Sequence, residues 1–157
     1  MPGCASFSLD KVSATITPMT LPRHYLLVDD NPHDHFLTQA AFEQLCPECV
    51  VTCVGSGMEA LELLQTQMFQ PDVVLLDLNM PGMNGFEVLQ AMKANARLVR
   101  IPVVILSTSD AERDVEQAYT LHASSYLVKS ESFSEFLEQL ETVVKYWQTS
   151  RTVVESR

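Results

Sequence analysis

The chain has 157 residues, enough for about one domain with a core that needs no cross-links. Hydrophobic residues make up 46% and charged residues 19%, which excludes a wholly disordered chain, and no apolar run nears the ~18 residues of a membrane-spanning helix. A net charge of −10 excludes a broad basic face for nucleic acid; a cation or a cationic partner patch suits it better.

Residues 1–22 show neither helical nor strand period, and Pro18 and Pro22 interrupt their end, so they read as a tail. They lack the charged start and continuous apolar run of a signal peptide, which points to a cytoplasmic protein. From residue 23 to 148 one theme repeats five times: an apolar run, a polar turn, a helical pattern; residues 149–157 read as a second, polar tail. The runs are Tyr25-Leu26-Leu27-Val28, Val50 to Val54, Val73-Val74-Leu75-Leu76, Val103-Val104-Ile105-Leu106 and Tyr126-Leu127-Val128. They are mostly continuous and β-branched, as in parallel strands buried on both faces.

The first helix opens at Asn31-Pro32, a capping side chain followed by proline at the first helical position. The others open at Ser56, Asn84, Ser109 and Ser132, each with a glutamate three positions on: Glu59, Glu87, Glu112 and Glu135. In that arrangement the cap accepts from a first-turn amide and the glutamate reaches back to the cap's own N–H. Apolar stripes follow at helical spacing: Phe36, Leu37, Ala40, Ala41 and Leu45; Leu61, Leu64 and Met68; Phe86, Leu89 and Met92; Phe133, Phe136, Leu137, Leu140, Val144 and Trp147. Each is expected to pack on the core. The fourth helix, near 110–121, offers only Val115, Ala118 and Leu121, so it should dock least firmly. Cys46 and Cys49 have C-x-x-C spacing, but at the end of a helix, where no helix N-terminus favours the thiolate, and Cys53 leaves a zinc site one ligand short. With Cys4 they need not form disulfides in a cytosolic chain of this size, and small buried hydrophobes are the default expectation.

Five strand–helix units give a doubly wound parallel sheet with helices on both faces, and ligands of such sheets sit beyond the carboxyl ends of the strands. The residues there are Asp29-Asp30 after the first run, Asp77 after the third, Ser107 after the fourth and Lys129 after the fifth. Three partly desolvated acids would repel one another unless a cation compensated them. Magnesium takes oxygen ligands, including carboxylates and phosphate oxygens, and Lys129 adds a second positive group. A carboxylate nucleophile flanked by a metal and a lysine can accept a phosphoryl group, whose oxygens the two cations neutralise during in-line transfer. No Gly-x-x-x-x-Gly-Lys-Ser/Thr loop, dinucleotide fingerprint or Gly-x-Ser-x-Gly elbow is present. An aspartyl phosphatase would carry paired acids with its nucleophile after the first strand; here the isolated acid follows the third.

As a set, Val28-Asp29-Asp30, PDVVLLDLNMPGMNG (71–85), IPVVILSTSD (101–110) and YLVKS (126–130) resemble the receiver domains of two-component response regulators, over about residues 23–148. The resemblance implies a flavodoxin-like sheet of order 2-1-3-4-5 with five helices. It implies that Asp77 accepts the phosphoryl group from a sensor histidine kinase. Asp30 and Asp77 would bind magnesium directly, with the backbone carbonyl of Asn79, and Asp29 would assist through water. Ser107 and Lys129 would hold the phosphoryl group, and Tyr126 would change rotamer as Ser107 moves, shifting the population between two arrangements of the fourth-strand loop and fourth helix. Asn79 and Ser109 fall where the family tunes loss of phosphate. The expected protein is a switch phosphorylated on its own aspartate, not an enzyme; the alternative is an intermediate or phosphate sink in a phosphorelay.

Two features depart from the commonest pattern. Ser130 stands where many members carry a cis proline, so a trans bond is expected. No output domain is expected after Trp147. Lys129-Ser130, Leu121-His122 and Tyr146-Trp147 are similar to single-domain regulators served by bacterial phytochrome kinases. That similarity implies a homodimer through the fourth and fifth helices, with Tyr146 and Trp147 as interface candidates unless Trp147 simply closes the core.

Overall fold

The computed structural model describes residues 24–149. Five strands, β1 (His24–Val28), β2 (Val50–Val54), β3 (Val73–Leu76), β4 (Val103–Ser107) and β5 (Ser125–Val128), alternate with five helices, α1 (Pro32–Leu45), α2 (Gly57–Leu64), α3 (Gly85–Lys93), α4 (Glu112–Thr120) and α5 (Phe133–Thr149). The sheet is parallel throughout, in the expected order β2-β1-β3-β4-β5. The tail read at 1–22, and 149–157 beyond Thr149, lie outside the described residues, as does Cys4.

Strand alternation divides the core in two. Leu26, Val28, Val74, Leu76, Val103 and Ile105 face α2, α3 and α4, packing with Leu64, Val88, Leu89, Met92 and Ala118. Tyr25, Leu27, Val73, Leu75, Val104 and Leu106 face α1 and α5, packing with Phe42, Phe136, Leu140 and Val144. Strands β1, β3 and β4 are buried on both faces apart from His24, but β2 and β5 are only half-buried, because this order leaves them at the sheet edges.

Several helix ends follow the capping chemistry. Asn31 accepts from His33 N–H, Ser56 from Glu59 N–H, and Asn84 with Glu87 makes the full reciprocal box. Glu59 turns instead to the Gly55 N–H, and Glu135 to the Ser130 hydroxyl. Ser109 does not cap α4. Ala111 is the residue before that helix and gives no side-chain cap, while the Ser109 hydroxyl donates to Asp114. At its far end, α4 closes with Ala123 N–H on Ala118 O and His122 N–H on Tyr119 O. His122 has φ +70° there, a left-handed position usually given to glycine. Only Ala118 of α4 is buried, in line with its thin apolar face.

Three stripe residues depart from expectation. Phe36 is 69% exposed, and α1 instead buries Thr38, Ala41 and Phe42. The reason is rotational: at 3.6 residues per turn, Phe36 lies nearly opposite the face of Thr38, Ala41 and Phe42 that meets the sheet. Met68 is 93% exposed because α2 ends at Leu64, and Phe133, at the start of α5, is 37% exposed. The cysteines also differ. Cys46 and Cys49 form a disulfide across the turn after α1, where their Cα atoms lie 5.4 Å apart, within disulfide reach; Cys53 is a free thiol. The Lys129–Ser130 bond is trans, and Ser130 uses the N–H that proline would lack to reach Gln139 Oε1 at 3.3 Å.

Phe42→Ala should therefore cost about 3–5 kcal/mol of unfolding free energy, and Phe36→Ala no more than about 0.5 kcal/mol. Urea unfolding of the two variants checks this, and equal losses would show that α1 buries the other face.

Candidate functional site

The register sets the site. Val28 pairs with Leu76 and with Val54, and the Asp77 N–H continues the ladder to Val28 O at 2.9 Å. Asp29 and Asp77 thus leave adjacent strands at one level. Each is the first residue past its strand, Asp29 2% and Asp77 7% exposed, while Asp30 turns outward. Ser107 closes β4 and is fully buried, and Lys129 follows β5, its N–H on Ser107 O at 2.7 Å. Behind Asp77 the backbone is crowded. A Cβ on Gly85 would run into Asp77 O and Leu78 Cα, so only glycine lets α3 start this close to the strand end. Gly82, at φ +76°, turns the chain between them.

Asp29, Asp30 and Asp77 each bring a carboxylate oxygen within 4.8 Å of the others. Burial is the largest influence on Asp77 and raises its pKa to about 6; Lys129 and the Asn79 N–H hold it down, while Asp29 and Asp30 push it up. Burial likewise raises Asp29, against the Asn31 N–H and Lys129. For Lys129 burial favours the neutral amine, but Asp34, Asp29 and Asp77 together outweigh it and the ammonium is strengthened. A set of hard oxygen donors, crowded and short of positive charge, fits a divalent cation.

All the strand-end residues named from the sequence gather at this rim, but not all touch. Lys129 Nζ lies 2.9 Å from Asp29 Oδ2 and 2.9 Å from Asp34 Oδ2, and among the described residues no ion pair joins it to Asp77. Asn79 donates its backbone N–H to Asp77. The Ser107 hydroxyl accepts from Ser109 N–H at 3.1 Å, and the Tyr126 hydroxyl donates to Ser109 O at 2.8 Å. Ser107, Ser109 and Tyr126 therefore form one chain of contacts leading from the site to α4, which Ser109 holds through Asp114.

Sequence reasoning missed Asp34 and His35. Asp34 sits in the first turn of α1, and His35 Nε2 lies 2.5 Å from Asp29 O. The signal was available: a residue three beyond a cap at a strand-end turn points back over that turn, and the proline had fixed where the helix begins.

The pKa of Asp77 gives a sign. In the fold its carboxyl holds a proton that the unfolded chain has already lost, so stability falls as pH rises from about 4 through about 6. Without divalent cation, Asp77→Asn should raise Tm at pH 8, and the gain should vanish near pH 4. A thermal melt series over pH measures this; a gain independent of pH would mean that the charge on Asp77 is not its source.

Residues 25–141 match the response regulator receiver domain. The probable methanogenesis regulatory protein FilR2 of Methanothrix harundinacea is 36% identical over 146 residues, 90% of this chain and 93% of its own. Response regulator Rcp1 of Synechocystis sp. is 35% identical over 131 residues, 80% of this chain and 89% of its own. The crystal structure of Rcp1 in its Mn2+-bound form has a TM-score of 0.75 at 34% identity, covering 83% of this chain and 98% of that one. The phosphorylated cyanobacterial phytochrome response regulator RcpA has a TM-score of 0.77 at 37% identity, covering 83% and 97%. Among the described residues no helix is long and apolar enough to cross a membrane. With three acids, a hydroxyl and an ammonium converging on the rim of a 2-1-3-4-5 sheet, and with relatives of this likeness, the chain belongs to the response regulator receiver domain family.

Proposed function

We propose that this receiver takes a phosphoryl group from a sensor histidine kinase onto Asp77, in a magnesium-dependent reaction, and signals by a change of conformation. The observation that carries the reading is the cation-seeking triad of buried Asp29 and Asp77 with exposed Asp30, beside Lys129. In the transfer, an Asp77 carboxylate oxygen forms a bond to phosphorus as the phosphorus–nitrogen bond of the kinase phosphohistidine breaks, and the imidazole leaves with that electron pair. Asp77, ionised above about pH 6, is ready to attack without a general base. Asp30, Asp77 and the carbonyl of Asn79 would hold magnesium, with Asp29 assisting through water. Bound there, the ion supplies charge neutralisation for the phosphoryl oxygens. Lys129 and the Ser107 hydroxyl take up the oxygens on the other side. Drawing Ser107 toward the phosphoryl group would disturb its bond from Ser109 and, through Ser109 O, the Tyr126 hydroxyl. Tyr126 and α4 are thus the switch, and Asn79 and Ser109 the positions that tune its lifetime.

On this reading residues 23–148 are the receiver unit and the protein works in the cytoplasm. Likeness to the phytochrome regulator RcpA supports a phytochrome-type kinase as partner, and a terminal switch over a relay intermediate. A homodimer through α4 and α5 is supported by Tyr119, Val128 and Tyr146, which are 48%, 42% and 57% exposed on α4, β5 and α5. Trp147 is partly buried against the α1–α5 core with Tyr146 edge-on to it at 4.7 Å, so it serves the core first.

Incubation with acetyl phosphate should label the protein to about one phosphoryl group per chain, only with magnesium present. Asp77→Asn should abolish the label as read by intact mass, and a variant that labels like wild type would refute the assignment. In sedimentation, Tyr146→Arg should weaken a wild-type dimer toward monomer; a dimer indifferent to the change would place the interface elsewhere.

A further inference from the structure

Lys129 is held by two carboxylates, and the reaction proposed above uses only one of them. The second, Asp34, belongs to α1 and lies outside the strand-end triad. Its Oδ2 is as near to Lys129 Nζ as that of Asp29, 2.9 Å in both cases. The Lys129 side chain is 10% exposed and that of Asp34 20%, so water screens the pair poorly. The hydrogen bond to Asp34 is, with the charge and hydrogen bond of Asp29, among the contacts that stabilise the ammonium against its burial. Helix α1 does not depend on it: Asn31 caps the first turn, and the Asp34 N–H is already bonded to Asn31 O.

An ammonium has three N–H donors, and two of them are occupied here. The charge matters more than the count. A lysine paired with a nearby carboxylate presents a dipole to a third anion where a free lysine would present a full positive charge, and the added carboxylate itself repels that anion.

We propose that Asp34 competes with the phosphoryl group for Lys129, weakening the hold on the acyl phosphate and keeping the phosphorylated population low. This rests on Asp77 being the phosphoacceptor. It makes Asp34 a positioning residue whose effects on anions and cations have opposite sign. Losing its charge strengthens the site for a phosphoryl-like anion, yet gives a cation nothing and removes one nearby attractive charge.

The test is calorimetric titration of the full chain with beryllofluoride, a phosphoryl mimic, in magnesium, alongside titration with magnesium alone. Asp34→Asn keeps a hydrogen-bond acceptor and removes the charge. It should bind beryllofluoride about fivefold tighter or more, bind magnesium no tighter than wild type, and retain its acetyl phosphate label longer. Asp34→Ala, which also removes the acceptor, should show the same direction. Equal or weaker beryllofluoride binding by Asp34→Asn overturns the proposal, as does tightening for both ions, which would indicate a general rearrangement. A loss confined to Asp34→Ala overturns it too, since Asp34 would then be guiding the ammonium toward the anion. If wild type ignores beryllofluoride, or Asp77→Asn binds it as well as wild type, the phosphoacceptor reading itself fails and this inference with it.

Discussion

Negative charge buried at the rim of a hydrophobic sheet is the constraint that organises this molecule. Asp29 and Asp77 are almost wholly removed from water, and Asp30 adds a third carboxylate within 4.8 Å. Such a cluster persists only if positive charge is near, because desolvation and mutual repulsion both favour protonation. Among the described residues one ammonium, Lys129, pairs with the cluster, and it is strengthened despite its own burial. The remaining deficit of positive charge makes the site receptive to a divalent ion.

Rigidity comes from the three inner strands. β1, β3 and β4 are packed from both sides by residues at or near zero exposure, so the carboxylates that follow them leave a frame that cannot easily relax. Gly85 lets α3 begin hard against the peptide of Asp77, and the Asn79 N–H is bonded to the carboxylate. By contrast, Ser109, Tyr126 and α4 lie toward the sheet edge and are linked to the site by single hydrogen bonds.

Much of this was legible in the sequence, for identifiable reasons. Continuous apolar runs such as Val73–Leu76 have one physical outcome, a strand covered on both faces, and the residue after each run must lie at the carboxyl rim. That brought Asp29, Asp77, Ser107 and Lys129 together without coordinates. What escaped was rotational or pairwise. A stripe on α1 that included Phe36 was nearly as regular as the true one through Thr38, Ala41 and Phe42, and only packing decides between them. Ser109 matched a cap pattern, but its hydroxyl was claimed by Asp114. Spacing placed Cys46 and Cys49 on one turn without deciding between two thiols and a bridge. For Asp34, the local pattern placed it over the strand-end turn but could not name Lys129, 95 positions away in sequence, as its partner.

The thin seat of α4 has a kinetic consequence. With Ala118 as its only fully buried residue, the helix can detach and reseat by a local opening that leaves the two cores intact. The barrier to that excursion is set by a few contacts, whereas the barrier to global unfolding is set by the whole sheet. The two timescales are thereby separated: frequent rearrangement at one edge need not shorten the lifetime of the native scaffold.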